Sequence, residues 1–156
     1  MVESPLDPSP PVAAKADIGK RFLAALIDGV LAFVVAIIPV IGGIVATAYL
    51  LLKDGLEFDF MDRRSIGKKV MKLRPLRDDG QPMDLETSVK RNLPLCIGAV
   101  GAIFWIIPVL GRILALLLAL LGLLVLIVEI VLVLTDAEGR RIGDKFGATM
   151  VVEVVD

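Results

Sequence analysis

An all-α membrane protein is the fold class this sequence predicts, with four transmembrane helices arranged as two hairpins and a small two-stranded β patch on the cytoplasmic side. Three observations predict it. The 156-residue chain is 56% hydrophobic and only 22% charged, with a mean hydropathy of +0.82, a composition foreign to soluble domains. Its apolar residues gather in two blocks, Phe22 to Leu52 and Leu93 to Leu134, each broken by a Pro-Gly turn. With each block folded as a hairpin, sixteen of the seventeen Lys and Arg residues share one side and only Arg112 falls on the other. That asymmetry places both termini and the central loop in the cytoplasm.

The elements follow in order. Residues 1–17 hold Pro5, Pro8, Pro10 and Pro11 among polar residues and read as a disordered tail ahead of a membrane domain over 18–154. The first apolar block is too long for one span, since a straight helix of its length would reach about 46 Å against a hydrocarbon core of about 30 Å. Spans over 18–38 and 41–57 fit it, turning at P-V-I-G-G, with a short second leg for which a re-entrant segment is the rival. The loop 58–92 is too polar for lipid. Within the polar stretch, Ser65 to Leu73 reads as a short amphipathic helix, and R-D-D-G-Q-P (Arg77 to Pro82) as a turn. The second block supplies spans over 93–107 and 113–134, joined at P-V-L-G-R, with Trp105 near the turn. The closing M-V-V-E-V-V predicts a strand over 149–154, pairing with Lys72 to Arg77.

The two halves repeat one another. K-R-F-L-A-A-L-I-D from Lys20 resembles K-R-N-L-P-L-C-I-G from Lys90, and I-I-P-V-x-G-x-I recurs in both. Downstream, L-L-L-K-D (Leu50 to Asp54) matches L-V-L-T-D (Leu132 to Asp136), and R-R-S-I-G-K-K matches R-R-I-G-D-K. Matches in order outside the apolar runs favour a tandem repeat of two hairpins that enter from the same face.

Two acids lie within the apolar spans, Asp28 and Glu129. A charge at the bilayer centre costs about 2.5 to 3.5 kcal/mol on insertion scales, so such residues turn inward, pair, or take up a proton. Their positions set the two carboxyls level with each other, as a proton or cation site or as packing contacts. Ala25, Gly29, Ala32 and Ala36 form a small-residue face for helix approach, and Gly98, Gly101 and Ala102 form its counterpart. Gly98 stands where the repeat alignment has Asp28. Asp144 is placed either to cap a short helix or to pair with Arg21. Arg63, Arg64, Lys68, Lys69 and Lys72 form a lipid-facing basic patch, either solvated or bound to anionic headgroups. The absence of His and the single Cys96 exclude a Ser-His arrangement, an intramolecular disulfide and a cysteine-rich metal site. No enzyme activity, cofactor, metal or nucleic-acid partner is expected.

Taken together, these motifs resemble the RDD family of small bacterial membrane proteins. The family's arginine at the start of the first span is similar to Arg21 in K-R-F-L-A-A-L-I-D, its first aspartate to Asp28, and its second to Asp144 in R-R-I-G-D-K-F-G-A-T. R-S-I-G-K-K-V-M-K-L-R-P-L-R-D-D-G-Q-P is similar to the family's Gly-Lys segment, strand and turn, here with Pro75 inside the strand. The resemblance implies transport of a small solute, with cation/proton antiport suggested for some relatives. Two functions follow as expectations. One is a small-solute or cation/proton transporter, or a subunit of one, using Asp28 for a monovalent cation or proton and assembled as a homo-oligomer because four spans make few walls. The other is an anchor or accessory protein with a docking or anionic-lipid-binding surface.

Overall fold

The computed structural model describes residues 16–38, 41–104 and 107–154, without the side chain of Ala102. The proline-rich tail through residue 15, the Pro39–Val40 turn and Trp105 lie outside the described residues. The chain runs α1 (Ile18–Ala36), α2 (Ile41–Leu52), α3 (Ile66–Val70), β1 (Leu73–Arg77), α4 (Leu85–Phe104), α5 (Leu110–Thr135), α6 (Ile142–Phe146) and β2 (Thr149–Glu153). Each half is therefore a long-helix pair, a short helix and a strand.

The strands show how the halves relate. β1 and β2 pair antiparallel, with Leu73 opposite Glu153 and Arg77 opposite Thr149. Thr149 follows Leu73, and Glu153 follows Arg77, by the same 76 residues, so exchanging the strands returns the same pairs. The residue before each strand, Lys72 (φ 54°) or Ala148 (φ 47°), is left-handed, a conformation that side chains rarely adopt, and it occurs at the same offset. Pro75 is accommodated because a two-stranded sheet is all edge. Beneath the ribbon, Leu73 and Val151 pack with Ala16 and Ala24 into a small apolar core.

Helix packing runs in series: α1 on α2, α2 on α4, α4 on α5, while α3 rests on α1 and α6 on α4. The α4–α5 contact is backbone on backbone, since a Cβ on Gly122 would stand 2.6 Å from the Gly98 Cα. On α1 the buried face is Ala24, Asp28 and Ala32. The expected face was turned by one residue: Ala25 and Gly29 are exposed, and a Cβ on Gly29 would meet nothing within 4 Å. Burying the Asp28 carboxylate beside its donors fixes that rotation.

Among the described residues α5 is the helix long and apolar enough to cross a membrane, and 6% of its most apolar stretch is buried. A soluble core helix would be mostly covered. α2 has 12 residues and is about 18 Å long. The leg expected over 41–57 stops at Leu52 because Lys53 and Asp54 turn inward to charged partners and Gly55 lies against the Asp84 carbonyl. α4 starts at Leu85, eight residues ahead of the apolar block, so its first two turns belong to the polar end of the bundle with α3, α6 and the strands.

Candidate functional site

Asp28, two turns beyond Arg21 on α1, is 1% exposed. Its Oδ1 accepts the Gly67 amide at 2.8 Å and the Tyr49 hydroxyl at 2.9 Å, and its Oδ2 accepts the Lys53 ammonium at 2.8 Å. Gly67 makes this possible, because any Cβ there would stand 2.0 Å from the Ala24 carbonyl oxygen. The carboxylate thus closes the start of α3, beside Ser65 Oγ, which accepts the Lys68 amide. Glu129 does the same for α6. It is 2% exposed, and its two oxygens accept the Ile142 and Gly143 amides at 2.7 and 3.1 Å. Gly143 is pressed as closely on the Arg91 carbonyl as Gly67 is on Ala24. The two acids that the sequence set side by side make no bond to each other; each is engaged by its own short helix.

Between the short helices lies a buried ion network. Asp54, fully buried, takes the Lys68 ammonium at 2.5 and 2.8 Å, the Ser65 amide at 3.2 Å and the Asn92 amide at 3.3 Å. Asp144, also fully buried, meets Arg21 Nη2 at 2.7 Å, Arg91 Nη2 at 2.7 Å and Arg141 Nε at 3.3 Å. Both roles open for Asp144 are therefore filled: it pairs with Arg21, and it accepts the Arg141 amide at the start of α6. Arg91 bridges the halves, with Nε 3.4 Å from Asp54 and Nη2 on Asp144. Its charge meets theirs, yet among the described residues none of its three guanidinium nitrogens makes an aligned hydrogen bond.

Electrostatics follow from this packing. Burial would raise Asp144, but Arg91, Arg141 and Arg21 outweigh it and hold the carboxyl well below the usual range. Burial is likewise outweighed at Asp54, by Lys68, Arg91 and Lys53. For Lys68, burial comes first: with Arg91 and Lys53 it pushes the ammonium down to about 7 against the attraction of Asp54. The cluster is thus crowded with positive charge. Lining or bridging it are five cations (Arg21, Lys53, Lys68, Arg91, Arg141) and four carboxylates (Asp28, Asp54, Glu129, Asp144).

The expected basic patch divides. Lys68 and Arg64 are buried, at 9% and 7% exposure, because close packing of α3 on α1 turns Lys68 toward Asp54 while Arg64 faces Asp62. Lys72 is exposed, Arg63 pairs with Glu57, and Lys69 donates to the Phe60 carbonyl. Sequence reasoning passed over Lys53, Asp54, Arg91, Asn92 and Arg141 as site residues. The Lys-Arg doublet repeated at Lys20 and Lys90 was the available signal for Arg91.

Above this floor is an open cleft of about 360 Å³ between α1 and α5, the two ends of the packing series. Its walls are Phe22, Leu26, Leu126, Ile130 and Leu134, and its floor holds Arg21, Asp28, Lys53, Lys68, Arg91, Glu129 and Arg141. Among the described residues no group of three or more Cys, Asp or Glu is placed to hold a metal ion. The arrangement can receive a group carrying negative charge beneath an apolar body.

Comparison with curated proteins and with solved structures finds no match. The RDD family profile matches residues 37–148, taking in α2 through α6 with Asp54, Arg91 and Asp144. With more than two thirds of its length matched, the chain belongs to the RDD family.

Proposed function

We propose that this chain is a four-span protein of the bacterial cytoplasmic membrane, acting as a small-solute transporter or transporter subunit whose ligand site is the floor of the α1–α5 cleft. The observation that carries the reading is Arg91, a fully buried cation that lines an open cleft without an aligned hydrogen bond. Its charge is met by Asp144 and Asp54, but leaving its buried N–H groups short of hydrogen-bond acceptors is costly, and a ligand's acceptors would relieve that cost. Supporting the four spans, α1 at 19 residues is about 28 Å long, and α4 adds an apolar stretch from Leu93 to Phe104 of about 18 Å. The shorter α2 packs on α1 and α4 and leaves Ile41, Ile44 and Val45 exposed. The polar end, rich in Lys and Arg, faces the cytoplasm with the termini. Four helices enclose little on their own, so a second copy completes any path across the bilayer.

Exchange of a proton or monovalent cation at Asp28 is the second reading, favoured by Asp28 and Glu129 lining the same cleft. It requires Lys53 to leave, since both Asp28 oxygens are engaged. The test is the full chain in proteoliposomes, followed for uptake of labelled inorganic phosphate and for internal pH under a Na⁺ or K⁺ gradient. Uptake removed by Arg91→Gln supports the first reading. A cation-driven pH change lost in Asp28→Asn, with helical content intact, supports the second. No flux of either kind from folded protein overturns transport and leaves an anchor.

A further inference from the structure

We infer that the α1–α5 cleft holds one anionic phospholipid, its phosphate seated against Arg91 at the floor and one acyl chain lying along Phe22, Leu26, Leu126, Ile130 and Leu134. The inference rests on the reading of this cleft as a ligand site and names its occupant.

Three observations converge on that chemistry. The first is shape. The cleft has the volume of a ligand pocket, its walls are apolar, and it opens sideways between two helices that do not close on each other. A small hydrophilic solute would leave those walls unmatched, and a wholly apolar one would leave the floor unmatched. An amphiphile standing as lipids stand, with its head at the polar end of the bundle, matches both. The second is charge. Five basic side chains face four carboxylates in the buried cluster, and because burial pulls Lys68 down to about 7 the excess at neutral pH is at most one positive charge. Of the two carboxylates on the cleft floor, Asp28 is offset by the Lys53 ammonium and Glu129 is held by the Ile142 and Gly143 amides. The third is geometry. Arg91 is 0% exposed and lines the cleft, ion-paired through Nη2 to Asp144 at 2.7 Å and through Nε to Asp54 at 3.4 Å, while Nη1 makes no hydrogen bond. Nη1 is the nitrogen left to donate a charge-assisted bond to a phosphate oxygen. This site is distinct from the exposed lysines of the loop, where any lipid contact would be diffuse.

The experiment uses the full chain in nanodiscs of phosphatidylcholine with graded phosphatidylglycerol, reading lipid retained per chain after transfer to mild detergent. The expected result is about one phosphatidylglycerol per chain, preferred roughly tenfold over phosphatidylcholine, a difference of about 1.4 kcal/mol. Leu126→Trp fills the cleft without touching the ion network, and it should abolish retention while the protein stays folded. Arg91→Lys keeps the charge but removes Nη1, and it should erase most of the preference. Equal retention of both lipids overturns the proposal, as does retention unchanged in Leu126→Trp. Stabilisation by inorganic phosphate alone, dependent on Arg91, overturns the lipid and leaves the solute site standing. No response of the wild type to phosphate or to either lipid overturns both.

Discussion

The two halves of the molecule solve one problem with different residues. In each, a short helix lies against the first long helix and needs a carboxylate at its start. In the first half Asp28 supplies it from the first long helix; in the second Glu129 supplies it from the second long helix, and the position matching Asp28 is Gly98. At the third position of the short helix the first half has Lys68, paired with Asp54, and the second has Asp144, paired with three arginines. What the repeat preserves is the bond to be made, while the residue that makes it is free to move. The move left room for Gly98 to meet Gly122 backbone to backbone.

The largest effect should come from the side of the comparison with more charges. Asp144→Asn leaves Arg21, Arg91 and Arg141 without their shared anion and should cost about 3 to 5 kcal/mol in denaturation of the detergent-solubilised protein. The pH dependence sharpens it. Asp54 and Asp144 are both held below their unfolded values, so the unfolded chain binds more protons as pH falls below about 4. Their contribution is complete above that pH and drains away beneath it, and Asp144→Asn should flatten the acid limb. A flat limb in the wild type would break the account.

Next in size is Gly122→Ala, which drives a Cβ into the Gly98 backbone and should cost about 1 to 3 kcal/mol. Asp28→Asn and Glu129→Gln should each cost about 1 to 3 kcal/mol, with Asp28→Asn the larger because Lys53 also loses its partner. Amide exchange separates them: the Gly67 amide should be exposed by the first and the Gly143 amide by the second, and crossed effects would deny that each acid serves its own half. Smallest is Gly29→Ala, which meets open space and should change the melting midpoint little or raise it, adding up to about 1 kcal/mol of helix propensity.

Much of this was legible in the sequence. V-V-E-V-V marked a strand, and the cost of a bare charge in apolar surroundings marked Asp28 and Glu129 as inward, whereas Gly42, Gly43 and Gly111, read as turn residues, lie inside α2 and α5. Their partners were not legible. A carboxylate in a helix announces that it needs donors, but three of those donors are backbone amides of helices five residues long, which carry no side-chain signature. Arg91 and Asp54 stood at the edges of a polar loop, where charge reads as orientation, and only the fold brings them together. The buried face of α1 was misjudged by one residue because small residues lie on both candidate faces, and only the direction of Asp28 decides between them.

The β1–β2 ribbon carries a consequence for synthesis. β1 is made early, yet its hydrogen-bonding partner is β2, and the whole second hairpin must leave the ribosome before residues 149–153 exist. Until then the first half waits with Leu73 and its strand edge uncovered, which is the condition in which nascent chains mispair. Closure of the ribbon is therefore a late event, in which β2 comes over β1 only after the second hairpin has been made.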